Sequence, residues 1–393
     1  MSGKPTKKGR MSVSEQKASG RPLTDYLYAK AIHLGIPLNG TFELSPVCNF
    51  SCRMCYVRKT RKEVEENDRK ILTLQDWLSI AKQAKEAGML ELLLTGGEPL
   101  LWPDFWSLYE ELIDMGFIIS INTNGSLIDE NAVQRFVKRP PQRLNITLYG
   151  ASDETYHSLC GISGVFQRVD SAIRMLNSAG IDVKLNCSLT PVNQGDLDMI
   201  IDYAKQLNLV LSVSTYMFPP VRRNPDMIGT NERFTAEKSA ETMMHYLRGN
   251  RGEERFQRYV RSIVDGCGEA LGLDADCVDP TDGTVLCRAG RASFWISWDG
   301  WMMPCGMMVK PKVDIKNQTF GSAWEEILRK TKEIRLSGLC AQCKNRKICH
   351  PCAAIAYAET GSFSEVPLYR CQATQHMCQL ASLEIEKSNS FSK

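Results

Sequence analysis

No stretch of this 393-residue chain stays apolar for the length of a membrane span. Its first 20 residues, MSGKPTKKGRMSVSEQKASG, hold no hydrophobic core of the kind a secretory signal needs. Neither insertion nor export is expected, and the expected compartment is the cytoplasm. Net charge is small, +3, and no basic stripe with interleaved aromatics occurs, so neither nucleic acid nor an anionic membrane is an expected partner. Histidine is scarce: His33, His157, His245, His350 and His376 show no metal-binding spacing among themselves. No internal repeat exists beyond an alternation of strand and helix patterns. Hydrophobic residues at 43% and charged residues at 24% are ordinary for a globular protein, so composition alone does not narrow the function. Cysteine does. There are 15, in clusters, and without an export signal such clusters read as metal or redox chemistry rather than as a disulfide framework.

The chain is long enough for two domains. Residues 1–40 read as a basic, Ser/Gly-rich tail followed by a lead-in helix over 22–36. β-type runs then recur at 41–47, 90–95, 117–122, 143–149, 182–189 and 209–217. Helical apolar spacing lies between them, as at 73–87, 104–115 and 165–178. Strands alternating with helices imply βαβ units and a parallel sheet, with active-site residues at the carboxyl ends of the strands. Six units are too few to close an eight-unit barrel. The expected fold is therefore α/β, a partial (β/α)6 TIM-type barrel over 41–218. The rhythm stops at FPPVRRNP, 218–225, and a helical bridge is expected over 219–286. A small cysteine-rich domain is expected over 287–393.

The segment SPVCNFSCRMCYVRK, 45–59, places Cys48, Cys52 and Cys55 at C-x3-C-x2-C spacing just after the first strand. Three thiolates leave one position of a metal site without a protein ligand. Spacing alone leaves iron and zinc equally open. The second strand ends in LLLTGGEPLL, 92–101. There Gly96 and Gly97 allow close approach to the backbone, and Glu98 offers a carboxylate to an ammonium group. By itself GGEP is also an ordinary strand-to-helix turn.

CNFSCRMCY followed by GGEP resembles the radical S-adenosylmethionine (radical SAM) enzymes, over roughly residues 41–218. The resemblance implies a [4Fe-4S] cluster on Cys48, Cys52 and Cys55 whose free iron binds SAM. One electron then cleaves SAM to methionine and a 5′-deoxyadenosyl radical that abstracts hydrogen from a substrate. It also implies SAM contacts at Gly96, Gly97 and Glu98, at Asn124 of INTNG, and at Arg168 of GVFQRV. Thr147 of ITLYG stands where the family has a serine that reaches SAM. The family usually has an aromatic residue before the third cysteine; here that residue is Met54, and Tyr56 follows as a further neighbour for SAM.

Cys287, Cys305, Cys340, Cys343, Cys349, Cys352 and Cys371 resemble, in order, the SPASM (twitch-type) extension of radical SAM enzymes that modify peptides and proteins. One interval departs: CHPC, 349–352, has two residues where three are usual. The resemblance implies two auxiliary [4Fe-4S] clusters. Cys287, Cys305 and Cys352 would hold the first, completed by Cys277 or left with an open iron; Cys340, Cys343, Cys349 and Cys371 would hold the second. A zinc ribbon is the other reading of paired C-x2-C motifs. Cys160, Cys187, Cys267 and Cys378 fit no ligand pattern, and His350 reads as a turn residue. Trp295, Trp298 and Trp301 fall in an expected hairpin turning at Asp299-Gly300, packed against the clusters.

The implied function is an oxidoreductase that modifies a peptide or protein side chain, the auxiliary clusters taking the electron left after hydrogen abstraction. Implied partners are the peptide or protein substrate, a reductant such as flavodoxin or ferredoxin, and a separate leader-binding protein, because the 47 residues before Cys48 are too few for a leader-binding module. Sulfatase maturation is disfavoured. Those maturases place Asp where Gly306 follows Cys305 here. The alternatives are a dehydrogenase or epimerase of an amino sugar or amino acid, and a non-enzymatic iron–sulfur or zinc protein.

Overall fold

The computed structural model describes residues 23–266 and 282–390. The expected tail, Cys267 and Cys277 lie outside them. Six parallel strands follow in chain order: β1 (Asn39–Glu43), β2 (Glu91–Thr95), β3 (Ile118–Thr123), β4 (Arg143–Thr147), β5 (Val183–Ser188) and β6 (Val210–Ser214). All six lie where the sequence pattern places them. Helix α1 (Leu23–Leu34) leads in. Helices α2 (Arg61–Glu65), α3 (Leu74–Glu86), α4 (Phe105–Asp114), α5 (Glu130–Lys138), α6 (Asp153–Cys160), α7 (Phe166–Ser178) and α8 (Leu197–Gln206) connect the strands.

Alternation along the strands decides the two faces of the sheet. Phe42, Leu92, Leu94, Ile121, Leu144 and Leu185 are buried. They join Trp77, Leu108, Phe136, Ile173 and Ile200 of the helices in one core. Phe42 stacks on Trp77 with ring centroids 4.6 Å apart. The other face is polar. Register sets Asn122 beside Asn145, and Thr147 beside Asn186, which in turn lies beside Ser212. Asn145 donates to Asn122 at 2.9 Å. A face of amides and hydroxyls cannot fill itself with an apolar core. The six units accordingly form an open partial barrel rather than a packed one.

The C-terminal region is continuous with this sheet. The expected tryptophan hairpin is present as β7 (Ser293–Ile296) and β8 (Trp301–Met303), followed by β9 (Val313–Asp314). Strand β7 pairs in parallel with β1, so nine strands run β6-β5-β4-β3-β2-β1-β7-β8-β9. The boundary expected at 287 is thus not a break in the sheet. Arg69 fixes the junction, donating to both oxygens of Asp314 at 2.8 and 2.7 Å while lying over Trp301.

The bridge is α9 (Ala236–Arg251) and α10 (Glu253–Val264). It is followed by α11 (Phe320–Lys332), α12 (Gly338–Ala341), α13 (Arg346–Cys349), α14 (Ala353–Thr360) and α15 (Leu368–Ser390). Among the described residues no helix is long and apolar enough to cross a membrane. Arg233, just before α9, is clamped to Glu359 of α14, and its guanidinium lies 3.9 Å from the Tyr369 ring centroid. Both charges are nearly fully buried, at 9% and 6% side-chain exposure, so neither tolerates loss of the other. Glu359→Ala is expected to cost about 3–5 kcal/mol by leaving Arg233 buried and unpaired. Urea unfolding followed by circular dichroism measures this; a loss under about 1 kcal/mol would show a hydrated pair.

Candidate active site

The loop that follows β1 carries Cys48, Cys52 and Cys55 at the carboxyl end of the sheet, and backbone hydrogen bonds hold it from two sides. On one side Gly97 N–H donates to Ser45 O at 2.7 Å and Glu98 N–H to Val47 O at 3.0 Å. On the other, Ser51 N–H reaches Cys160 O at 2.7 Å and Arg53 N–H reaches Leu159 O at 3.1 Å, at the end of α6. The two glycines are explained by this contact. A Cβ on Gly96 would stand 2.5 Å from Ser45 O, and one on Gly97 2.4 Å from Val47 O. The room they leave is occupied by the cysteine loop itself.

Glu98 is fully buried. Its carboxylate accepts from Thr123 Oγ1 at 2.8 Å, Asn124 N–H at 2.8 Å and Leu100 N–H at 3.2 Å, tying the end of β2 to the end of β3. Burial is the larger influence and pushes this carboxyl up to about 7, against the pull of the three donors. Asn124 extends the chain of contacts, donating from Nδ2 to Asn49 Oδ1 at 2.9 Å and toward Cys48 Sγ at 3.8 Å.

The sulfurs are prepared for negative charge. Phe50 N–H donates to Cys48 Sγ at 3.3 Å, and Arg58 N–H to Cys55 Sγ at 3.3 Å. Burial nevertheless pushes the Cys48 thiol up to about 12 and raises Cys55 as well. Thiols so placed ionise when a cation replaces the proton. This donor set fits an iron–sulfur cluster, whose sulfurs accept N–H bonds. Cys52 differs. Its hydrogen bond with Cys160 lowers it, and the same bond raises Cys160. Cys160 fitted no sequence pattern, because its neighbour is distant in the chain. Tyr149 packs against Phe50 and lies beside Cys52.

Of the other expected SAM contacts, Thr147 is half-buried at the end of β4. Met54 is buried in the main core. Arg168 is exposed on the first turn of α7, where it lines an open groove with Ser126 and Asp129. Tyr56 is half-buried beneath Arg222, 5.9 Å from guanidinium to ring centroid.

Arg222 joins this loop to the C-terminal cysteines. Its two Nη atoms each donate to one Glu43 oxygen at 3.0 Å, and Nη1 also donates to Gly306 O at 2.8 Å. Glu43, wholly buried at the end of β1, accepts a third bond from Trp295 Nε1 at 2.8 Å. A Cβ on Gly306 would lie 2.6 Å from the Trp295 ring. A side chain at 306 would require the Trp295 ring to move.

The C-terminal cysteines fall into two neighbourhoods. Cys287, Cys305 and Cys352 pack around Val285, Met308 and Ala353, with Phe218 from the barrel. Burial pushes Cys287 up to about 11 and Cys305 to about 12, and each is raised further by Cys352. Cys340 is pushed up to about 11 by burial and by the proximity of Cys371, Cys349 and Cys343. Cys378 stands near Cys343 and Cys349, two turns beyond Cys371 on α15. Its i, i+7 spacing from Cys371 was the available signal. His350 caps α13 in a left-handed conformation at φ 50°. Among the described residues, no three His, Cys, Asp or Glu side chains converge on a single metal ion's position.

This loop, its glycine-bearing neighbour strand and the parallel partial barrel define a radical SAM domain, and residues 42–204 match the radical SAM superfamily. The chain is similar to the AdoMet-dependent heme synthase of Methanosarcina barkeri, 26% identical over 341 residues, covering 84% of this chain and 94% of that one. In fold it is similar to Streptococcus suis SuiB bound to S-adenosylmethionine, with TM-score 0.62 and 19% identity over 86% of this chain and 79% of that one. It is likewise similar to anSMEcpe with bound AdoMet, with TM-score 0.64 and 17% identity over 91% of this chain and all of that one (100%).

Glu98 gives a pH test with a definite sign. A carboxyl raised from 4.5 to about 7 on folding holds its proton more tightly in the folded state. Its contribution to stability is full below 4.5 and is lost as pH rises through about 7. In cluster-free protein, the Tm of Glu98→Gln relative to the parent is expected to climb as pH rises across that window. A difference that stays flat with pH would mean that Glu98 ionises like an exposed carboxyl.

Proposed function

We propose that this chain reductively cleaves SAM at the Cys48–Cys52–Cys55 loop and oxidises a peptide or protein side chain held between that loop and the C-terminal cysteines. The observation that carries the reading is the Glu43–Arg222–Gly306 link. It sets the residue after Cys305 against the residue after Cys55, so two thiol groups flank one polar barrel mouth. Cys48, Cys52 and Cys55 would hold a [4Fe-4S] cluster, which would supply the electron for reductive cleavage of SAM.

The chain's own residues bind and orient. Gly96, Gly97 and Glu98 hold the loop and, with Asn124, Thr147, Arg168 and Tyr56, are assigned to SAM. Cys287, Cys305 and Cys352 are assigned to a first auxiliary [4Fe-4S] cluster, and Cys340, Cys343, Cys349 and Cys371 to a second. These would accept the electron that oxidation of the substrate releases. A flavodoxin or ferredoxin as electron donor and a separate leader-binding protein complete the reading. The peptide substrate is supported by fold: SuiB has been solved bound to precursor peptide SuiA, and anSMEcpe with Cp18Cys peptide. A small-molecule substrate is the second reading, favoured by the likeness to AdoMet-dependent heme synthase along nearly that protein's whole length.

Anaerobic reconstitution tests the cofactor set. Three cubanes give about 12 irons per chain, and about 8 in a Cys48/Cys52/Cys55→Ala variant. With dithionite, the parent is expected to form 5′-deoxyadenosine from SAM and the triple variant none. About 4 irons with bound zinc would replace the auxiliary clusters by a zinc-stapled tail. Loss of two hydrogens from a peptide encoded beside the gene, read by mass spectrometry, would support the peptide reading. Peptides left unchanged while SAM is cleaved would favour the small-molecule reading.

A further inference from the structure

A cavity of about 460 Å³ lies beside β6, the last strand of the parallel series, enclosed by α9, α10, α13 and α15. Leu211, Met243, Leu247, Ile263 and Met377 make part of its wall apolar. Lys347, His350 and Arg370 also line it, and among its described lining residues none is acidic. The volume is that of a small-ligand site.

Two observations indicate what it takes. The Arg370 Nη2 donates to Cys349 O at 2.9 Å, which holds the guanidinium beside the cavity. Lys347 and Arg370 put two cationic side chains on a wall whose described residues include no carboxylate, and a ligand carboxylate would pair with them. Ser212, also in the wall, belongs to the polar row that runs through Asn186 to Thr147. The cavity therefore meets the inner face of the barrel at its edge. It meets the second cysteine group as well, through His350 next to Cys349 and Arg370 next to Cys371.

We propose that this cavity anchors an acidic, partly apolar segment of the substrate peptide, with a carboxylate on Arg370 and Lys347 and an aliphatic side chain against Met243 and Leu247. The proposal rests on the peptide reading above. It goes further in naming the charge of the peptide and the place where it is held. From this anchor the chain would run along Ser212 and Asn186 toward Thr147.

The probe is the peptide dansyl-Leu-Glu-Glu, titrated into reconstituted holoenzyme and followed by fluorescence anisotropy. Saturable binding is expected, weakening as salt rises. Lys347→Gln and Arg370→Gln are each expected to weaken it about tenfold, and dansyl-Leu-Gln-Gln should bind the parent about tenfold less well than the acidic probe. Arg370 touches the second cysteine group, so iron content is measured in both variants. Lys347, which is exposed, carries the test if Arg370→Gln loses iron. Equal affinity for the Glu and Gln probes, or parent affinity in Lys347→Gln, would overturn the anchor. Formation of 5′-deoxyadenosine is assayed separately, without peptide. Probe binding with SAM cleavage but no modified peptide would overturn the peptide reading and leave a carboxylate site for a smaller acid.

Discussion

The close approach of the β2 end to the loop after β1 is the constraint on which the site depends. Two carbonyls, Ser45 O and Val47 O, stand where the Cβ atoms of residues 96 and 97 would be. The same carbonyls accept the N–H groups of residues 97 and 98. A side chain at either glycine must therefore push the loop away and break the bonds that hold it. The loop cannot yield freely in the other direction, because Ser51 and Arg53 are bonded to the end of α6. Any displacement acts on Cys48, between the two sets of anchors, and on Cys52, between the two bonds of the second set. Glycine at these positions thus bears on where these two thiols stand.

A second constraint acts between the barrel and the C-terminal region. Glu43 and Arg222 are both withdrawn from water, with 0% and 12% side-chain exposure, and each supplies what the other needs. A buried pair of this kind is weak grounds for net stability, because desolvation offsets much of the attraction. Its value lies in geometry. Bidentate pairing orients the guanidinium, which then has an N–H left for Gly306 O, and the third bond on Glu43 orients Trp295. The ring of Trp295 in turn stands where a Cβ at 306 would be. One ion pair thereby fixes the turn after Cys305 relative to Tyr56.

The strands were readable as short β-type runs, set between segments whose apolar spacing is helical. The cysteine loop was readable from spacing, and the glycines from their place at a strand end. The close approach of the loop's own carbonyls to both glycines was not readable, because it depends on how the loop folds back onto the strand end. Glu43, Arg222 and Trp295 were invisible as a unit, since 179 and 252 residues separate the two donors from Glu43. Cys160 was missed for the same reason, as its partner Cys52 is brought near only by the packing of α6. The continuation of the sheet into β7 was equally hidden, because a parallel pairing between β1 and a strand some 250 residues later leaves no local mark.

The likeness to a heme synthase in sequence and to peptide-binding enzymes in fold is less contradictory than it looks. The residues tied to the cysteine loop come from the ends of β1, β2 and β3 and from α6. That part of the chain lies within the superfamily match over 42–204. The walls of the cavity proposed for the substrate come from elsewhere: β6, α9 and the helices around the C-terminal cysteines, beyond residue 204. On the proposed reading, radical generation and substrate selection would reside in different segments of the chain. The first can persist while the second changes, which is how one fold serves unrelated substrates. The superfamily match therefore speaks for the chemistry of SAM. The substrate has to be argued from the walls beyond that match, where the cavity beside β6 is partly apolar and its charged lining is basic.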